Sequence, residues 1–220
     1  MSLSSDIEEM VNRIGPPEPK TRKRKIELYS QGVIAKFRNA EYALSQLKDL
    51  NKYSDDKTLA DENDLVVRER IHFYLDSFFA FIYSTFDVIS QVVNQKWQMG
   101  LDERQVSIKG LKNRLNQNHN GHDLQDCIDV LCRANYFKNM DKFRNCSTHR
   151  RQIYVRCEAT LISETPGYSS TADLTTVKRL ICDDPYALSP STNQNRELID
   201  YCEKMLEWTE TKLINISKKI

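Results

Sequence analysis

Between Asp61 and Met99 the chain sets Ile71, Leu75, Phe78, Ile82, Phe86, Ile89, Val93 and Trp97 at steps of four and three, the spacing of one helical face. A second series, Tyr74, Phe78, Phe81, Val88 and Val92, makes far more than a third of the same helix apolar. A helix that is greasy on two sides must lie at the centre of a bundle or be shared with a second subunit. Gly100 follows it in the place of a C-terminal cap. Asp87 falls inside this apolar segment. An unpartnered charge there is costly, so a basic residue from another helix is the expected partner.

The other segments fit around that helix. Ile26, Val33, Phe37, Leu44, Leu47 and Leu50 predict a helix over Thr21 to Tyr53. A shorter helix is predicted over Glu103 to Asn118, broken by Asn118-His119-Asn120-Gly121. Asp123 to Arg151 reads as one helix with a weak middle, or as two. Tyr154 to Leu161 alternates apolar and polar residues, the pattern of a half-buried strand, and Thr175 to Cys182 is the expected partner strand. The final helix, capped by Ser191 or Thr192, carries Leu198, Cys202, Met205, Leu206, Thr209, Leu213 and Ile216 on one face. The expected fold class is mainly α, an antiparallel bundle of four to five helices with an inserted β-hairpin over 153–183. Gly15-Pro16-Pro17-Glu18-Pro19 cannot be helical and sets residues 1–20 apart as a flexible N-terminal segment, leaving 21–220 as a single domain.

The 220 residues carry a formal net charge of +1, so any contact with nucleic acid must come from a local patch. The most apolar run, Phe78 to Val93, is interrupted by Ser84, Asp87, Ser90 and Gln91, and the chain opens on acids rather than on a basic leader. The expectation is a cytoplasmic protein with no membrane contact. The six cysteines form no Cys-x-x-Cys pair and read as reduced, buried thiols. No glycine loop for phosphate, Gly-x-Ser-x-Gly elbow, His-Glu-x-x-His helix or acidic calcium loop occurs, and no cofactor or metal is expected. The basic run Lys20 to Lys25 reads as the solvated opening of a helix.

One stretch stands out. From Lys142 to Arg156 there are five basic side chains, Lys142, Arg144, Arg150, Arg151 and Arg156, and no acid. Within it lies Arg144-Asn145-Cys146-Ser147-Thr148-His149. On a helix Asn145 and His149 share a face, whereas Arg144 and His149 are about 140° apart and converge only if Arg144 curls round or the helix starts within the motif. Arginine suits a bidentate hold on phosphate, histidine suits proton transfer near neutral pH, and Asn145 could orient the imidazole or a ribose hydroxyl.

Arginine, a polar residue, three variable positions and histidine, late in a helical bundle behind an aromatic-rich helix (Phe78 to Asp87), resembles the HEPN superfamily. The resemblance covers roughly Arg24 to Arg151 and the last helix, with the hairpin outside the shared core. It implies a metal-independent endoribonuclease, with two motifs meeting across a homodimer. Arg144, Asn145 and His149 would then be catalytic, Lys142, Arg150, Arg151 and Arg156 would bind RNA, and Asp87 would be the structural partner of the motif. His149 would take the 2′-hydroxyl proton and leave 2′,3′-cyclic phosphate ends. Three other readings stay open: a motif whose Arg144 pairs with Asp87 or another acid for structure, an inactive RNA-binding or protein-binding module, and a bundle that holds a partner protein on its second greasy face.

Overall fold

The computed structural model describes residues 3–13, 20–53, 62–117, 122–149, 155–163, 174–182 and 196–220. Among these lie seven helices: α1 (Leu3–Arg13), α2 (Lys20–Tyr53), α3 (Glu62–Trp97), α4 (Ile108–Gln117), α5 (His122–Arg133), α6 (Asn135–His149) and α7 (Leu198–Lys219). The mainly α class holds.

The central place that two apolar faces demand of α3 is the one it occupies. Leu75, Phe78, Phe79, Ile82, Phe86, Ile89, Val92 and Val93 are fully buried, and α3 packs against α2, α4, α6 and α7. Helix α2 lies along it through Val33, Phe37, Ala40, Leu44 and Leu47. The two come close at Gly32, where a Cβ would stand 3.2 Å from Val88 Cγ1. Of the basic run that opens α2, Thr21, Lys23, Arg24 and Lys25 are exposed, and Lys25 pairs with Glu103. This matches a solvated helix opening.

Several boundaries differ from the sequence reading, each for a local reason. Residues 1–20 are not all peripheral: α1 buries Leu3, Ile7 and Met10, spaced along one face, against α2 and α7. Arg13 Nη2 also donates to the Ser217 carbonyl at 3.1 Å. Helix α3 ends through Gln98, which takes φ 51° just after Trp97, and Gly100, at φ 71°, supplies the next reversal rather than the cap itself. Helix α4 starts at Ile108 instead of Glu103, because Ser107 Oγ accepts the Gly110 N–H at 3.1 Å in the manner of an N-cap. The loop ahead of it is tied to α3 by Asn94, whose side chain bonds both the N–H and the carbonyl of Leu101. The weak middle of Asp123–Arg151 is a break at Ala134 between α5 and α6. Helix α7 begins at Leu198 behind Glu197, which stands at the cap position and makes no side-chain cap bond; the expected caps Ser191 and Thr192 fall outside the described residues.

Strand β1 (Val155–Ser163) pairs antiparallel with β2 (Leu174–Cys182), and β2 pairs with the two-residue β3 (Arg196–Glu197). The connection over 164–173 and the side chains of β1 and β2 lie outside the described residues, so an inserted hairpin remains an expectation. No described helix is long and apolar enough to cross a membrane.

Candidate active site

Helix α6 carries the motif. Its inner face, Phe137, Met140, Phe143 and Cys146, is fully buried. Phe143 stacks on Phe79 of α3 at 4.2 Å between ring centroids and 4° between planes, while Phe137 meets Tyr83 at 5.4 Å and Phe86 at 5.7 Å. From α7, Tyr201 lies against Phe143 at 6.1 Å. These aromatic pairs fix the rotation of α6, and with it the direction in which Arg144 leaves the helix.

Helical geometry runs unbroken from Asn135 to His149, so the motif lies entirely within α6. Asn145 and His149 therefore share a face, and Arg144 leaves the helix elsewhere, toward α3. Its guanidinium lies 4.0 Å from the centre of the Tyr83 ring, a cation–π geometry. Nη2 of Arg144 donates to Asn145 Oδ1 at 2.8 Å and to Asp141 Oδ1 at 3.3 Å. The other oxygen of Asp141 receives Lys109 Nζ of α4 at 2.7 Å. Tyr83 also hydrogen-bonds Asp141, and burial, reinforced by the nearby Asp141 and Asp87 carboxylates, raises its phenol pKa. The side chain of Arg144 is still 34% exposed. With five N–H donors on a guanidinium, it can reach outward to an oxyanion while its inner edge stays anchored.

Asp87 sits beneath this cluster. Its Oδ1 accepts the backbone N–H of Ile108 at 3.1 Å, so the expected basic partner is replaced in the direct bond by the first amide of α4. Burial raises the carboxyl pKa, while that hydrogen bond and then the Arg144 charge oppose the rise. Asp87 is thus coupled to the motif through the charge of Arg144 and holds α4 beside it. An Asp87→Ala variant is expected to lose about 1–2 kcal/mol by denaturant unfolding, as for a lost helix cap. Asp87→Asn keeps an acceptor oxygen and should stay within about 0.5 kcal/mol of the parent. Equal losses in the two variants would show that the charge, not the cap, is what matters.

The other predicted residues are placed less fully. Lys142 is half-buried on α6, and His149 closes that helix, its side chain lying outside the described residues. Arg156 stands on β1 opposite Ile181, again without a described side chain. Arg150 and Arg151 fall outside the described residues altogether. Cys127, Cys132, Cys146 and Cys202 are thiols not joined in a disulfide, and burial raises the pKa of the first two. Among the described residues no group of three His, Cys, Asp or Glu side chains is placed to hold a metal ion. The sequence reading missed Asp141, Tyr83 and Lys109. Asp141 lies three residues before Arg144, a helical contact distance, and just outside the acid-free stretch that begins at Lys142.

A family model described as Cthe2314-like HEPN matches residues 29–216. The match takes in α3, α6 and all but the end of α7. No curated protein and no solved structure matches the chain.

Proposed function

Because the chain belongs to the HEPN family, we propose that it is an endoribonuclease that works without a metal, cleaving RNA by attack of a ribose 2′-hydroxyl on the adjacent phosphorus. Within one α6 the two motif residues leave about 140° apart, so the site is shared across a homodimer: His149 of one protomer takes the hydroxyl proton, Arg144 binds the phosphoryl oxygens as their charge grows, and the second protomer's motif helps expel the 5′-oxygen. Asn145 holds the guanidinium edge, and the basic residues Lys142, Arg150, Arg151 and Arg156 carry the RNA backbone. The products are a 2′,3′-cyclic phosphate and a free 5′-hydroxyl. RNA is the partner, a homodimer is the expected assembly, and the compartment is the cytoplasm.

The observation that carries this reading is Arg144 itself, anchored by Asn145, Asp141 and Tyr83 yet a third exposed, inside a domain whose family match spans the motif. The test is incubation of a mixed RNA pool in EDTA with analysis of the ends. The expected result is cleavage with cyclic phosphate ends. Arg144→Lys, which keeps the charge but not the fork, should cleave about tenfold or more slowly. An intact pool counts against the nuclease.

One observation favours a second reading. The ion pair of Arg144 with Asp141 is a structural use of the guanidinium, suited to an inactive RNA-binding or protein-binding module. Such a module would bind RNA with a salt dependence that flattens when Arg150 and Arg151 are neutralised, and would leave the pool uncut.

A further inference from the structure

Helix α3 keeps an outward face between the side that packs on α2 and the side that packs on α6. Arg70, Phe73, Ser77, Ala80, Ser84 and Asp87 line it at alternating steps of three and four, the seam spacing of a coiled coil. This seam stands roughly a third of a turn round the helix from Phe79 and Tyr83, which face α6. Phe73 is 66% exposed, and Arg70 and Ala80 are also open to solvent. The Phe73 ring lies edge-on to Tyr74, and Tyr74 edge-on to Tyr42 of α2, itself exposed, so the aromatic surface continues onto the neighbouring helix. Contiguous exposed aromatic surface of this kind marks an interaction site.

We propose that this face of α3 is where two copies of the chain meet, which deepens the ribonuclease reading by naming the surface its shared site needs. The seam is complementary to itself. About a two-fold axis level with the Phe78–Phe79 peptide, an antiparallel second copy sets Phe73 opposite the partner's Ser84, Ser77 opposite the partner's Ala80 and Arg70 opposite the partner's Asp87. A bulky ring meets a small residue at each end, the small pair at the centre lets the backbones approach, and each cation meets an anion. Arg70 thereby gives Asp87 the basic partner from another helix that its place in an apolar segment calls for. With Val66 and Gln91, the next members at either end, the strip runs about 37 Å, and with α2 beside it spans about 20 Å, close to the roughly 800 Å² per partner that a stable dimer buries. Because the axis stands perpendicular to both α3 helices, the two α6 helices emerge on the same side of the pair. Each Tyr83–Arg144 contact lies about 7 Å along α3 from the level of the axis. Both guanidiniums then open on one face of the dimer, as a site built from two motifs requires.

Sedimentation of the full chain should give a dimer at micromolar concentration. Ala80→Lys, at an exposed position, brings two ammonium groups close to the axis and is expected to weaken that dimer by roughly 10²-fold or more, with its helical circular dichroism kept. Val130→Lys, at an exposed position of α5, should leave the dimer as it is. The register is read by disulfides placed by peptide mass. Phe73→Cys protein and Ser84→Cys protein should cross-link through those cysteines when mixed before oxidation and not when oxidised separately, since like positions lie about 16 Å apart against a reach of roughly 7 Å. A monomer at that concentration, a dimer that Ala80→Lys leaves intact, a mixture that fails to cross-link, or a bond between like positions overturns the proposal. A dimer with this register that leaves RNA uncut upholds the surface and sinks the ribonuclease reading, whereas a monomer that cuts RNA sinks the surface and keeps the cleavage.

Discussion

His149→Ala is expected to slow RNA cleavage by roughly 10²–10⁴-fold, the usual worth of a positioned acid–base group, while leaving the melting temperature within a few degrees of the parent. The two halves of that result have separate physical grounds. The rate falls because the 2′-hydroxyl is a weak nucleophile until a base takes its proton, the part assigned here to His149. Stability is kept because the contacts that dock α6 come from Phe137, Met140, Phe143 and Cys146, all earlier in the helix. Parallel purification of parent and variant, followed by cleavage assays in EDTA and thermal melts, reads both quantities. Equal cleavage by both proteins would remove His149 from the chemistry. A large drop in melting temperature would make it a structural residue.

How much of this was legible in the sequence depended on whether periodicity or a tertiary contact carried the information. The apolar stripes of α3 placed it at the centre, because two greasy faces admit few other positions. The same logic applied to α1, where Leu3, Ile7 and Met10 repeat at helical spacing, but the glycine–proline break after it spoke more loudly than three apolar residues. Asp87 announced that it needed a partner without naming one, since the backbone N–H of Ile108 is invisible in a side-chain pattern. The motif was legible as three residues, and its placement within one continuous helix was not, because helix ends are set by local hydrogen bonds. Arg144's partners divide the same way. Asp141 was within reach of an i, i+3 argument, whereas Tyr83 and Lys109 arrive only when α3 and α4 are packed.

The anchoring of Arg144 explains why the second reading stays close to the first. An ion pair with Asp141 fixes the guanidinium at the cost of part of its charge, and Lys109 returns some of that charge by sharing the same carboxylate. The resulting group sets two cations around Asp141, with the Asp87 carboxylate beneath, and faces outward in part. A purely structural pair needs no second cation, whereas a phosphate-binding arginine gains from one. Neutralising Lys109 should therefore weaken RNA affinity and leave the fold intact, since the lysine side chain is 56% exposed.

Phe143→Ala is expected to cost about 3–5 kcal/mol of folding stability, as for other buried aromatic truncations. The ring is 1% exposed and lies flat against Phe79 at 4.2 Å, with Tyr201 of α7 at 6.1 Å, so deletion opens a cavity at the junction of α3, α6 and α7. Those neighbours sit on two separate helices and cannot both collapse into the gap without shifting one of them, which is why the loss should fall in the upper range for a core substitution. Against a total stability of about 5–15 kcal/mol this is a large fraction, equivalent to roughly 6–20 °C in melting temperature. Phe143→Leu, which refills most of the volume, should recover more than half of the loss. The effect reaches the site as well, because Arg144 is the next residue and its approach to Tyr83 depends on the rotation that the Phe79–Phe143 stack fixes. Cleavage by the alanine variant should accordingly fall even at temperatures where it remains folded, whereas the leucine variant should keep most of it. Denaturant unfolding at 25 °C checks the stability directly. A cost below about 1 kcal/mol would mean that α6 is held elsewhere and that the stack does not orient the motif.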